Sequence, residues 1–588
     1  MCGVLACAYA GDAGAAAPTD WRGRSDRIAL EYLAGQLDSK PEAASSLGLS
    51  EYDGKASRPG MDVDPGRKQR LTRWKVRLEK ELRVPGADAA YRTDMAILLR
   101  SVIKEQEADR LTAKFGVIWY TPALREVFLQ LRTLGDMGAP AERRLAAWVR
   151  FKAYVRGQGD APPYLEGSVR AFRWQEDHFK GRNRFYPLRQ QVERDLDDAP
   201  KFVEGVRRLL EGSGREDWRG EFEAFAGQAG AYLKFVREHV FPRARKDFRL
   251  PPEAYEKILL GRGIAVKPAE LARRGRREFA VAREEFRRLA AELAPELGLA
   301  TRDPLAVLAR LKSKRVVSAE SAEKSYREAA RFIDGRLRAR DLVPLPSAPL
   351  EIRVAGEAES AAVPVPHLEH PPLLGNRGER PRFVVPSSAS GALPLDDFAY
   401  EAATYVLVAH EGRPGHELQF SWAAERKVPV ARAAFGADDA AVEGWAVYAE
   451  NLLFDELPKE ARLVAMQVRL WRIARMFLDP ELQLGRITPR DAAEFLVREL
   501  GLSPAMAELE VRRFVADEPG QAPAYHYGFS KLLGIRKRFA RVAGAGAGPG
   551  ADAGGRCFHQ AFLFAGPVPL DLLEKEILAG PSCPAAGG

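Results

Sequence analysis

The segment from Thr404 to Gln419, TYVLVAHEGRPGHELQ, sets Glu411 directly after His410 and returns a second imidazole at His416. Two imidazoles can hold a zinc ion, and a glutamate just beyond the first can reach a water on that ion as general base. In the common arrangement the histidines stand four residues apart, roughly 40° around a helix, and share a face. Here the spacing is six, roughly 240° around an ideal helix, which points the rings apart. A regular helix therefore cannot make the site. Pro414 lacks an N–H and its ring clashes with the carbonyl of His410, while Gly412 and Gly415 allow backbone conformations closed to other residues. A bulge or a short turn across Gly412–Gly415 would return His416 to the face of His410. The competing reading is a pair of structural histidines satisfied inside a helical core.

Two features favour the metal. The apolar stretch Tyr405–Ala409 suits a buried helix leading into His410, and a second apolar helix follows in VEGWAVYAE, Val442–Glu450. Glu443 and Glu450 fall on nearly one face of it, and a carboxylate on a second buried helix is the third ligand a two-histidine site requires. Glu443 is the better candidate. Glu450 stays open between a charge facing water and a group that, with Gln419, orients the ligands. Peptide chemistry would also need hydrogen-bond donors for a tetrahedral intermediate. Tyr525, His526 and Tyr527 follow a Pro-Gly-Gln turn and are the local candidates, against their alternative as aromatic core at the start of a helix Tyr527–Phe539. His559 could contribute from the last segment. Six of the eight histidines lie between His367 and His559.

The elements that must position these residues are mostly helical. Phe279, Ala282, Phe286, Leu289 and Leu293 form an apolar stripe at helical period, with arginines and glutamates on the other faces. Asp94–Arg110, Ala141–Tyr154 and Ala229–Val240 repeat the pattern, and helices are expected from Trp21 to about Leu342. From Pro344 to Pro394 proline density excludes long helices, while Glu351–Val354 and Arg382–Val385 suit short edge strands. Helical periodicity resumes at Leu395 and runs to about Val542. Ala543–Gly555, AGAGAGPGADAGG, reads as a flexible loop, and a final helix runs from about Pro569 to Leu578.

Composition narrows the classes. The 588 residues are 46% hydrophobic and 29% charged, which is globular and not disordered. Lys and Arg number 90 against 81 Asp and Glu, a net +9 that is mild for this length and mixed along the chain. No arginine-rich helix carries an aromatic stacking platform, and no helix-turn-helix or RNA-binding signature occurs, so no nucleic acid partner is expected. No apolar run approaches the roughly 18–20 residues that cross a bilayer, so no integral membrane segment is expected. Cys2, Cys7, Cys557 and Cys583 have no spacing of a disulfide framework or a thiolate zinc site. Val4-Leu5-Ala6-Cys7 looks like a lipoprotein cleavage box, without the basic and full-length apolar regions of an export signal. The chain reads as cytoplasmic as it stands, or as exported or a lipoprotein if its true start lies upstream of Met1. Oligomeric state is not legible.

HEGRPGHELQ followed by VEGWAVYAEN resembles the bacterial domain-of-unknown-function 885 family, which carries HEGxPGHxxQ and then EGWAxYxE and is placed among gluzincin-like metallopeptidases. The resemblance runs from about Asp26 to about Leu578, with weaker matches in Leu47–Asp53, Pro371–Arg377, Pro519–Tyr525, Phe558-His559 and Pro569-Leu570. It implies His410 and His416 as zinc ligands, Glu411 as general base and Glu443 as third ligand. It also implies a mostly helical fold with a deep cleft, similar to peptidases that trim oligopeptides. Two positions depart from the family: Glu417 stands where a second histidine is usual, and His526 where lysine is common.

The expectation is a mainly α, large helical metallopeptidase-like fold with a deep cleft and a small β-strand insert before the His-Glu helix. Residues 1–20 form a disordered leader or the remnant of an export or lipoprotein signal, 21–342 a helical region walling the cleft, 343–580 the catalytic region, and 581–588 a disordered tail. The expected activity is zinc-dependent peptide-bond hydrolysis with one Zn2+ per chain and a peptide substrate. The alternative is a helical binding protein or pseudoenzyme that has lost metal-dependent catalysis.

Overall fold

The computed structural model describes residues 20–37, 39–59, 66–136, 139–314, 319–356, 359–360, 363–387, 396–543 and 553–580. The expected leader (apart from residue 20), the tail and most of the glycine-rich loop lie outside the described residues. Ala553–Gly555, read from sequence as the end of that loop, are the start of a helix, Ala553–Ala565.

The chain is mainly α, as its periodicity requires. Helices from Ala123 to Phe235 enclose one core around Phe128, Trp148, Phe151, Phe202 and Phe225. Helix α1 (Pro268–Leu293) buries Phe279, Phe286, Ala290 and Leu293 along the stripe seen in the sequence. The arginines on its other faces are ion-paired: Arg276 to Glu481, Arg283 to Glu499, and Arg288 to Glu285 and Glu292. Helix α2 (Ala319–Arg340) follows.

The insert is a three-stranded sheet of order β1-β3-β2, with β1 (Glu351–Val354), β2 (His367–Glu369) and β3 (Arg382–Val385). β3 runs parallel to β1 and antiparallel to β2, with Phe383 opposite both Ile352 and Leu368. The sequence shows β1 and β3 but not β2, whose three residues sit between prolines. Phe383 packs edge-on against Tyr326 of α2, their centroids 5.2 Å apart, which fixes the sheet to the helical body.

Helix α3 (Glu401–Glu411) is shared between two cores. Ala402, Ala403 and Val406 join a cluster with Phe279, Phe286 and Phe477, while Val408 and Ala409 join another with Tyr326, Phe383, Trp445 and Phe558. After α4 (His416–Glu425) come α5 (Asp439–Leu452) and α6 (Lys459–Gln483). Every residue of α6 from Arg472 to Gln483 is buried, as expected of a helix surrounded by protein. Helix α7 (Ala524–Ala543) crosses α5 at Gly444 and Gly528, where backbones touch: a Cβ on Gly528 would lie 1.9 Å from the Ala440 carbonyl oxygen. The helix Ala553–Ala565, α8, closes the second core.

The sequence division at 342/343 is not a break in packing. Phe279 of α1 meets Phe477 of α6 at 5.6 Å, so the earlier helices share a core with the later ones. Cys557 is disulfide-bonded, a link that the cysteine spacing does not announce.

Candidate metal centre

The six-residue histidine spacing is resolved by ending one helix and starting another. α3 stops at Glu411, the residues Gly412 to Gly415 turn, with a cis Arg413–Pro414 bond, and α4 begins at His416. The glycine at 415 is required sterically, because a Cβ there would lie 1.8 Å from the His410 carbonyl oxygen. Trp445 of the EGWA segment clamps the turn by donating its indole N–H to the carbonyls of Pro414 at 3.0 Å and Gly415 at 3.2 Å. The two imidazoles are thereby brought to 4.9 Å between centroids, at 81° to one another.

Their donor atoms converge on Glu443. Its Oε2 lies 3.6 Å from Nε2 of His410 and 3.4 Å from Nε2 of His416. Two donors about 2.0–2.1 Å from one ion at the tetrahedral angle stand about 3.3 Å apart, so each histidine–Glu443 pair fits a shared zinc. The Glu443 oxygen is buried with no hydrogen-bond partner among the described residues, an orphan that a cation would satisfy. Donor atoms of His410, Glu411 and His416 also fall within 4.8 Å of one another. Glu411 Oε1, however, is 3.9 Å from His410 Nε2, wider than the tetrahedral spacing of about 3.3 Å, which suits a group acting beside the ion.

A surrounding layer meets His410, Glu443 and Glu411, while Nδ1 of His416 is buried without a hydrogen-bond partner among the described residues. Oε1 of Glu450 lies 2.6 Å from Nδ1 of His410, out of line with the ring N–H, and also 3.3 Å from Nη2 of Arg472. Gln521 donates its amide to Oε1 of Glu443 at 3.3 Å and to Asp439 at 3.2 Å. The backbone N–H of Leu368 in β2 donates to Oε2 of Glu411 at 3.1 Å. Burial works against the charge on Glu443, but the two imidazoles outweigh it and hold the carboxyl well below its usual range. Burial and Arg472 likewise oppose a charge on His410, and Glu443 and Glu450 overcome them, raising it to about 9.

His410, Glu411, His416, Glu443 and Glu450 line a cavity of about 1320 Å³. Its walls come from the early helices (Arg125, Asp195), the strand insert (Val365, His367) and α3, α5 and α6. Tyr525 is part of it, its ring parallel to that of His410 at 5.9 Å and its hydroxyl accepting from Arg513 at 3.1 Å.

Other sequence candidates are placed elsewhere. His526, expected beside the reacting group, is turned to α1, where its Nε2 meets Oε2 of Glu278 at 2.7 Å. The crossing at Gly528 dictates that direction. Tyr527 belongs to a small core with Tyr255, Leu259 and Met476. His559 bridges the Tyr448 hydroxyl and the Leu342 carbonyl, both at 2.7 Å, and burial pushes it down to about 4. Gln419 is buried outside the cavity lining, its amide atoms without partners among the described residues. Glu417 forms a buried pair with Arg413, at 2.6 and 2.9 Å. A second gathering of donors, Glu359, His367 and Glu369, has its carboxylates engaged by Arg132 and Arg353.

Sequence reasoning missed Gln521, Leu368 and the arginines. Gln521 was within reach, since it ends the Pro-Gly-Gln turn that marks this stretch. Leu368 acts through its backbone, which no residue type signals.

A large helical body whose two central motifs build one carboxylate–imidazole cluster is matched by the model of one family, the bacterial proteins of unknown function DUF885. The chain matches that family over residues 41–577 and belongs to it. Two solved structures share the fold. One, a candidate lipoprotein from Colwellia psychrerythraea, superposes with a TM-score of 0.74 at 15% identity, covering 95% of this chain and 98% of that one. The other, a candidate lipoprotein of unknown function from Shewanella oneidensis, gives 0.70 at 18% identity, covering 94% and 99%. No curated protein sequence matches the chain. No described helix is long and apolar enough to cross a membrane.

Proposed function

We propose that the protein is a zinc-dependent peptide-bond hydrolase of the gluzincin-like kind. The observation that carries this reading is the convergence of His410 Nε2, His416 Nε2 and Glu443 Oε2 at 3.4–3.6 Å. A zinc ion held by these three would supply Lewis acidity to a water and to the substrate carbonyl. Glu411 then has the role of base: it takes the proton of the attacking water and returns it to the leaving nitrogen as the C–N bond breaks. The Leu368 N–H orients that carboxylate, and Glu450 stands 2.6 Å from Nδ1 of His410, placed to bear on that ring. Tyr525 stands beside His410 with its hydroxyl held by Arg513, the local candidate to meet charge developing on the carbonyl oxygen.

The cavity of about 1320 Å³ exceeds the roughly 300–1,000 Å³ typical of small-molecule pockets, which favours an oligopeptide. The alternative of a binding protein drew on the departures at 417 and 526. Both residues are committed to partners away from the metal donors, Arg413 and Glu278, so neither lends it support.

Elemental analysis of the purified chain should find about one zinc, and a mixed peptide library should be cleaved. Zinc below about 0.2 per chain, not restored by added metal, would overturn the reading. Zinc without cleavage of any library member would leave a binding protein.

A further inference from the structure

Three arginines reach the floor of the same cavity. Arg472 and Arg475 come from α6, and Arg513 begins the short π-helix Arg513–Asp517. Their guanidinium carbons stand 4.7, 4.5 and 5.5 Å from the ring centre of Tyr525. That ring lies parallel to His410 at 5.9 Å between centroids, so the arginines and the first histidine have Tyr525 as a common neighbour.

Their hydrogen-bonding capacity is not used up. Arg475 spends Nε and Nη2 on Glu510, at 2.7 and 2.8 Å. Arg472 has Glu450 at 3.3 Å, a carboxylate whose Oε1 also lies 2.6 Å from His410 Nδ1. Arg513 reaches Gln521 and the Tyr525 hydroxyl, with Glu510 and the half-exposed Glu518 each at 3.7 Å. Arg472 is 7% exposed and Arg475 is 2% exposed. Yet Nε of Arg472 and Nη1 of Arg475 have no acceptor among the described residues. A buried guanidinium N–H left without an acceptor is costly, and the planar fork matches a carboxylate. Arg194, on the same cavity, is paired with Asp517, and Arg512 lies 3.4 Å from that carboxylate with its Nε also lacking a hydrogen-bond acceptor among the described residues.

We propose that Arg472, Arg475 and Arg513 seat a carboxylate of the peptide substrate, so that the bond beside it falls at the metal donors. The proposal rests on the peptidase reading above. A peptide carries this group at its C-terminus or on an aspartate or glutamate side chain. The first source makes the protein a carboxy-terminal exopeptidase, and the second an endopeptidase selective for acidic residues.

The test uses binding, in the full-length Glu411→Gln chain as purified, so that turnover does not intrude. Calorimetry compares an N-acetylated pentapeptide as free acid, the same peptide as C-terminal amide, and versions with an internal Glu or Gln. We expect at least tenfold weaker binding when the recognised carboxylate is neutralised: the amide loses if the terminus is read, and the Glu-to-Gln version if the side chain is. Adding Arg513→Gln, at a partly exposed position, should abolish the discrimination, bringing the carboxylate-bearing peptide down to the affinity of its neutral counterpart. Equal binding of acid, amide, Glu and Gln peptides overturns the proposal, as does absence of binding or an equal loss for all peptides in Arg513→Gln. Carboxylate-selective binding by a chain whose wild type cleaves nothing would sink the peptidase reading and leave the arginine seat standing.

Discussion

The backbone N–H of Leu368 donates to Oε2 of Glu411 at 3.1 Å, which joins the edge strand β2 to the last residue of helix α3. One carboxylate oxygen is thereby held by the insert, while Oε1 stays on the side of His410 at 3.9 Å. The small sheet is in this sense a part of the site.

Leu368→Pro tests that link. The Leu368 N–H serves Glu411, and proline is tolerated on edge strands where no ladder bond is lost. We expect kcat to fall about tenfold with zinc content unchanged, since an aimed general base contributes about 10²–10⁴-fold in all and only its aim is disturbed. Glu411→Gln should forfeit the whole of that factor and still hold zinc. Steady-state kinetics on any cleaved library peptide decides it, and an unaltered kcat in Glu411→Gln would remove Glu411 as the base.

Glu450 lies against the back of the His410 ring and is shared with Arg472. Glu450→Gln keeps the shape and removes the charge. Loss of such a partner typically lowers metal affinity about 10–100-fold. Competition against a chelator of known affinity measures this, and zinc affinity within twofold of wild type would show that Glu450 serves Arg472 alone.

Glu417 and Arg413 form a pair in which each side chain is about 4% exposed or less. Removing one partner leaves a buried charge without compensation, at a cost of about 3–5 kcal/mol. Glu417→Ala should therefore lower the urea midpoint markedly, while the fraction that remains folded carries its full zinc. Loss of zinc with stability preserved would place Glu417 in the metal site, where the family's usual histidine would also belong.

Periodicity made much of this legible. The stripe at Phe279, Phe286 and Leu293 is a core stripe because a helix that buries one face must repeat apolar residues at its own period. His410, His416 and Glu443 could be singled out because their types and spacing are chemically unusual, and the glycines around Pro414 signalled that a regular helix would not serve. His526 was misplaced because its direction depends on where α7 crosses α5, a contact between Gly444 and Gly528 that lies outside any local pattern. Arg472 and Arg475 were invisible for a similar reason: in sequence they look like the solvated face of a helix, and only the packing around α6 buries them.

Asp479 offers a check on the turn that delivers Gln521 and Tyr525. Fully buried in α6, it accepts hydrogen bonds from the Tyr255 hydroxyl at 2.7 Å and the Gly520 N–H at 2.9 Å. Burial pushes its carboxyl up to about 7, against those two donors, which act in the opposite direction. The unfolded chain gives up this proton near 3.8, so between that value and about 7 the folded state binds the extra proton. Stability from this group is fully present below the lower value and is lost as pH rises through about 7. Asp479→Asn keeps the site neutral throughout. Relative to wild type, the variant should therefore gain stability steadily from about pH 5 to about pH 7.5, read as the difference in urea unfolding free energy. A difference that stays flat over that range would mean that the folded chain holds Asp479 ionised, with the Tyr255 and Gly520 donors outweighing its burial.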